Sequence, residues 1–195
     1  MKKYIVLLIS ILHISIIELR ESDGFYLNET KIMFKGVCRH TFTSKSGQTS
    51  IKKLVIEDVN LMKDMNLNAV RKNLYPPDLY FLAVCDSLGM LVIDKLANWQ
   101  KKYEPHTTLR LVKSTVIRDV YHPCVGMWAN GNEGGYNKEA RQDYSLYDSQ
   151  NRIAIEPVSK ANGTDTKHYP RYNYVHKQVK IVTFGQFVMM MVPIA

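Results

Sequence analysis

An amide and a carboxyl group stand side by side at Asn132 and Glu133, framed by Gly131, Gly134 and Gly135. The carboxyl can give or take a proton, and the amide can orient a ligand by hydrogen bonding. The glycines let the backbone turn sharply and let a ligand approach it closely. The element that must position this pair is the stretch before it, Cys124-Val125-Gly126-Met127-Trp128. An apolar run without alternation predicts a short strand covered on both faces, as in a parallel sheet. In a barrel of parallel strands, catalytic groups sit at the C-terminal strand ends, where this pair falls. For an isolated Asn-Glu pair the competing reading is a strand-ending loop whose Glu is merely solvated.

Other segments repeat the same alternation of strand and helix, with no repeat of sequence. Ile32 to His40 reads as a first strand with Arg39 and His40 at its C-terminal end, against the alternative of a surface loop pair. Ser50 is placed to cap a helix starting at Ile51, where apolar residues recur at Leu54, Val55, Leu61, Met62 and Met65. Asn68 to Tyr75 is a second strand that brings Arg71 to its end. Pro77 suits the first turn of the next helix, and Gly89 its end. Met90 to Asp94 is a third strand closed by a carboxylate, and His106 to Val120 an amphipathic third helix. Asn137 to Gln150 is polar and only weakly helical, and Arg152 to Pro157 offers a fifth strand. Trp99 could provide an aromatic face for a sugar ring; a core tryptophan is the competing reading.

Several of these segments carry a family resemblance. Trp128-Ala129-Asn130-Gly131-Asn132-Glu133-Gly134-Gly135 resembles the acid/base segment of glycoside hydrolase family 2, the β-galactosidase-like enzymes. Lys35-Gly36-Val37-Cys38-Arg39-His40, Met65-Asn66-Leu67-Asn68-Ala69-Val70-Arg71 and Tyr75-Pro76-Pro77-Asp78 stand before it in the family's order. Cys85-Asp86-Ser87-Leu88-Gly89 and Arg118-Asp119 ahead of His122-Pro123 complete the set. The resemblance implies an α/β fold, a partial TIM (β/α)8 barrel of roughly the first four to five strand-helix units. It covers residues 18–175, leaving 1–17 as an N-terminal apolar segment and 176–195 as an apolar tail that departs from the family.

The resemblance also implies a chemistry. A retaining β-glycosidase sets a general acid and a nucleophile about 5–5.5 Å apart across the scissile bond. Glu133 is assigned as acid/base and Asn132 as the donor to the sugar's 2-hydroxyl. Arg39, His40, Arg71, Asp94, Trp99 and Trp128 are assigned with Asn132 to substrate binding. The family's nucleophile is a second Glu from a later strand, and beyond Glu133 this chain has only Glu139 and Glu156, neither in such a motif. The nucleophile is therefore expected to be missing, and the alternative is a non-catalytic remnant with at most carbohydrate binding. Asn73-Leu74 stands where the family carries Ser-His, Lys95 where it carries Glu, and Tyr121 where it carries Asn. Asn98-Trp99-Gln100-Lys101-Lys102 offers no carboxylate or imidazole where bacterial β-galactosidases hold magnesium, so neither a metal nor another cofactor is expected.

The chain has 195 residues, 46% of them apolar, enough for one domain with a real core. It is short of the about 250 residues that a whole barrel takes. The net charge of +8 is spread without a basic stripe or stacking motif, which argues against nucleic acid as a partner. Cys38, Cys85 and Cys124 are far apart and odd in number, and read as buried free thiols rather than a disulfide frame or zinc site. Lys2, Lys3 and the apolar run Tyr4 to Ile17 read as the charged and hydrophobic parts of a secretory signal, implying an extracytoplasmic protein; if the segment is not a signal, the protein would be cytoplasmic. The tail containing Met189-Met190-Met191 suggests a truncated or frameshifted barrel. Such a fragment exposes unpaired edge strands, which the tail could cover or which could drive self-association.

Overall fold

The strands that read as continuous apolar runs do form one parallel sheet. The computed structural model describes residues 16–20, 23–44, 46–72, 74–98, 101–132, 135–155 and 189–190. The proposed signal segment up to residue 15, Asn73, Trp99, Glu133, Glu156 and all of the tail except Met189 and Met190 lie outside the described residues. An antiparallel hairpin unit opens the described chain: β1 (Ile17–Arg20), β2 (Gly24–Leu27) and β3 (Thr30–Ile32). The barrel part follows as β4 (Gly36–Arg39), α1 (Lys52–Asp64), β5 (Ala69–Lys72), α2 (Leu79–Leu88), β6 (Leu91–Lys95), α3 (Pro105–Asp119) and β7 (Val125–Ala129). A 3-10 turn (Lys138–Arg141), α4 (Asp143–Tyr147), β8 (Ala154–Ile155) and β9 (Met189–Met190) complete it.

The sheet order is β8-β7-β6-β5-β4-β9, and each of these pairings is parallel. This is a partial TIM barrel: consecutive strands are neighbours, with α1, α2 and α3 as the crossovers between them. The first barrel strand was expected to present an edge that the apolar tail could cover. At Gly36 and Val37 that edge is paired with Met189 and Met190 of the tail.

Local chemistry explains the element ends and corrects two of the expected ones. Ser50 does not cap α1; its hydroxyl goes to Asp78 Oδ2 at 2.6 Å, and the cap position falls to Ile51. The second helix is started not by Pro77 but by Asp78, whose Oδ1 accepts from Phe81 N at 3.0 Å. Gly89 does end that helix, in the left-handed conformation at φ 64°, with its N–H on Cys85 O. Pro105 opens α3 at a position where its missing N–H costs nothing.

Two apolar layers lie on the two faces of the sheet. Val37, Val70, Val92, Trp128 and Ala154 face outward and pack against Val55, Val59, Phe81, Leu82, Val112 and Val116 of the helices. Ile93, Met127, Ala129 and Ile155 face inward and meet Ile17 and Phe25 of the hairpin. Ile17 can enter because Gly126 has no side chain; a Cβ there would collide with the Ile17 side chain. The three cysteines are free, with Cys85 and Cys124 buried and Cys38 partly so.

Candidate active site

Strand register sorts the polar strand-end residues into two rows. Cys38, Arg71, Ile93 and Met127 are register neighbours across β4 to β7, as are Lys95, Ala129 and Ile155 across β6 to β8. Because Ile93, Met127, Ala129 and Ile155 face inward, Arg71 and Lys95 belong to the inner face. Arg39 and Lys72 form the alternate row with Asp94 and Trp128, on the helix side.

The inner row meets the turn after β7. Arg71, 3% exposed, donates from Nη2 to Asn132 Oδ1 at 3.2 Å, and Asn132 is itself 2% exposed. Asn132 O accepts from Gly135 N at 2.7 Å, which closes the turn. Gly131 makes the turn possible: its φ is +91°, and a Cβ would collide with the Gly135 carbonyl. Asn98, 7% exposed, donates from Nδ2 to that same carbonyl and accepts nothing from it, so it fixes the turn from the β6 side. Asn130 ties the other flank by donating to Asn137 O at 2.8 Å. The geometry thus brings Arg71 of β5 together with Asn132, just beyond the end of β7. In the sequence Asn98 stood only in a segment noted for lacking metal-ligating carboxylates and imidazoles, and its hold on Gly135 carries no local signal.

His40 is exposed just beyond β4, its ring centroid 6.4 Å from that of Tyr75. Partial burial lowers its pKa, and the positive charges of Lys72 and Lys95 lower it further. Tyr75 in turn accepts from Thr41 N at 3.0 Å and donates to Thr41 O at 3.2 Å. His40 and Tyr75 therefore share one rim with Thr41.

Three residues assigned to the substrate from the sequence have their side chains among the helices instead. Arg39 donates from Nε and Nη2 to Asp58 Oδ2 of α1 at 2.9 and 2.6 Å, with its guanidinium 4.8 Å from the Phe81 ring centroid. Trp128 donates from Nε1 to Asp148 Oδ2 at 2.8 Å and packs against Tyr144 of α4. Asp94 is fully buried beside Asp119, whose carboxylate is gripped by Arg118 at 2.6 and 2.5 Å. Burial first, and then the hydrogen bond and charge of Asp119, push the Asp94 carboxyl far above the usual carboxylate range. All three sit at the catalytic ends of strands, one position out of phase with the inner row. Lys72 shares that outer row and was not singled out in the sequence; it donates to Thr41 Oγ1 at 2.8 Å from a fully buried position.

Parallel strands whose C-terminal ends gather a buried Arg–Asn pair define an α/β-barrel of the kind that carries catalytic sites in its strand-end loops. Residues 17–183 match the family described as glycosyl hydrolases family 2, TIM barrel domain. The chain belongs to glycoside hydrolase family 2. A β-galactosidase of Halalkalibacterium halodurans is 35% identical over 163 residues, covering 71% of this chain and 16% of that protein. A β-galactosidase of Thermoanaerobacterium thermosulfurigenes is 31% identical over 149 residues, covering 72% of this chain and 20% of the relative. Among solved structures, a β-glucuronidase of Faecalibacterium prausnitzii superposes with a TM-score of 0.69 at 27% identity, over 75% of this chain and 28% of that one. The chain thus spans about a fifth or less of the length of the two curated relatives it matches.

Proposed function

We propose that this chain carries the acid/base half of a retaining β-glycosidase site, with Glu133 as the proton donor and Asn132 as a hydrogen-bond donor to the sugar. The observation that carries this reading is the Arg71–Asn132 contact. A guanidinium has no acceptor, so the oxygen of the Asn132 amide must face Arg71 and its NH2 must turn away from it. The amide is thereby held as a donor, the polarity needed to bind a sugar hydroxyl. The Gly131 and Gly135 contacts hold the backbone around Asn132, and Glu133 follows it in the sequence. Substrate binding is assigned to Arg71, His40 and Asn132 on the inner side.

A retaining mechanism needs a second carboxylate about 5–5.5 Å from the acid. Among the described residues none shares the inner face with Asn132. Glu139 is exposed on the 3-10 turn, Asp94 is paired with Asp119, and Asp148 is bound to Trp128 and Arg152. On this reading the chain lacks the nucleophile. The sugar class is a β-galactoside or β-glucuronide, after the relatives.

The test is hydrolysis of aryl β-galactosides and β-glucuronides by the purified chain and its Glu133→Gln variant, with a fluorinated glycoside added to trap any nucleophile. Turnover that falls by at least about 100-fold in the variant supports the acid/base assignment. Equal turnover in both proteins removes Glu133 from that role. Absence of turnover in both, with binding of the glycoside intact, reduces the function to carbohydrate binding.

A further inference from the structure

The opposite ends of the strands carry a second group of reactive side chains, unconnected to the Asn132 turn. Asp86 lies in the last turn of α2, His122 in the turn after α3, and Cys124 immediately before β7. Asp86 Oδ2 meets His122 Nδ1 at 2.6 Å, and Asp86 Oδ1 accepts from Cys124 N at 2.9 Å. Cys124 Sγ lies 3.5 Å from the Leu82 carbonyl, to which its thiol donates. One carboxylate oxygen, one imidazole nitrogen and the sulfur all lie within 4.8 Å of one another.

We propose that Asp86, His122 and Cys124 form a binding site for a single Zn²⁺ ion. A carboxylate, an imidazole and a thiolate are the three donor types that zinc takes, and the thiolate disfavours magnesium and calcium. Zinc–ligand bonds of about 2.0–2.3 Å in a tetrahedron place the donor atoms about 3.3–3.6 Å apart. The Asp86–His122 contact has to open, and the farthest donor to close, by about 1 Å each, within reach of small side-chain rotations. His122 and Asp86 keep 21% and 22% of their side-chain surface exposed, so water can complete the fourth position. Asp86 already braces α2 against β7 through the Cys124 amide, so that bracket needs no thiol; the Cys124 sulfur, a core group that donates to the Leu82 carbonyl, also lies within reach of both side chains.

Binding exchanges a proton for the metal: Zn²⁺ and the Cys124 thiol give a zinc thiolate and one released H⁺. Burial, followed by the nearby Asp86 carboxylate, pushes the Cys124 thiol up, so it is protonated before the ion arrives. Affinity therefore rises about tenfold per pH unit while one proton is displaced. The ion sits at the N-terminal barrel face, which serves stability rather than catalysis.

The experiment uses the full chain, stripped of metal, titrated with Zn²⁺ against a chromophoric chelator and with Co²⁺ as a spectroscopic probe. One equivalent of zinc is expected to bind, with a thiolate-to-cobalt charge-transfer band that survives Cys38→Ser and disappears in Cys124→Ser. Zinc affinity should fall at least about tenfold in Cys124→Ser and in His122→Gln. At a hundredfold excess of zinc over Kd, Tm should rise by about 5–10 °C. Absence of a thiolate band in the wild type overturns the site whether or not Cys124→Ser folds. So does a band abolished by Cys38→Ser, or a magnesium response equal to that of zinc.

Discussion

Replacing Lys72 by Met should stabilise the folded chain near neutral pH, and the gain should fade as the pH rises. Lys72 is completely buried at the end of β5, with Thr41 Oγ1 at 2.8 Å and the Tyr75 and Phe81 ring centroids at 5.4 and 5.3 Å. Burial, and next the charge of Arg39, depress its amine from 10.5 to about 7. The unfolded chain binds a proton at Lys72 up to about pH 10.5, whereas the folded chain releases it above about pH 7. Between these values the unfolded state holds more protons, so this residue's contribution to stability increases with pH. At about 1.4 kcal/mol per unit, the penalty is on the order of 4–5 kcal/mol at or below pH 7 and about 2 kcal/mol at pH 9. Met forfeits the Thr41 hydrogen bond and the ring contacts, together about 2 kcal/mol. The net expectation is a gain of about 2–3 kcal/mol at pH 7 that vanishes near pH 9. Urea unfolding of both proteins at pH 6, 7, 8 and 9 reads this directly. A gain that does not change with pH, or a loss at pH 7 that shrinks on going to pH 9, would show that the site welcomes the charge and would refute the reasoning.

Gly131→Ala should lose about 1–3 kcal/mol by denaturant unfolding, because a side chain at φ +91° is strained and would strike the Gly135 carbonyl. Asp94→Asn should leave stability unchanged or raise it at pH 7, since a carboxyl with a raised pKa favours folding only at low pH and loses that contribution as the pH climbs. Asp119→Asn, by contrast, should cost about 1.5–3 kcal/mol by breaking the grip of Arg118, and equal costs at 94 and 119 would contradict this contrast between the two carboxyls. Arg71→Met should weaken binding of an aryl β-glycoside by about tenfold or more, measured by titration calorimetry, because the Asn132 amide is then free to turn over.

Much of the fold was legible because its signals are local. Apolar runs without alternation marked β6 and β7, Gly89 marked the end of α2, and the apolar spacing from His106 to Val120 marked α3. The start of α2 was assigned to Pro77 because its fixed φ suits a first turn, while the cap is Asp78; Ser50, read as the cap of α1, has its hydroxyl drawn to Asp78 across the chain. The Arg118–Asp119 motif was visible, but its place beside the buried Asp94 depends on how α3 packs on β6.

From its residues alone the chain can be read as family 2, as alternating parallel strands and helices, and as having its polar residues at the strand ends. Which of those residues face a ligand could not be read there. A strand buried on both faces has no polar side to reveal its phase, and successive side chains point in opposite directions. Arg71 thus turns inward to Asn132, whereas Arg39, Asp94 and Trp128, equally near the strand ends, turn to Asp58, Asp119 and Asp148 among the helices. That choice is made by strand register and by the partners waiting on each side of the sheet, which exist only once the helices have packed.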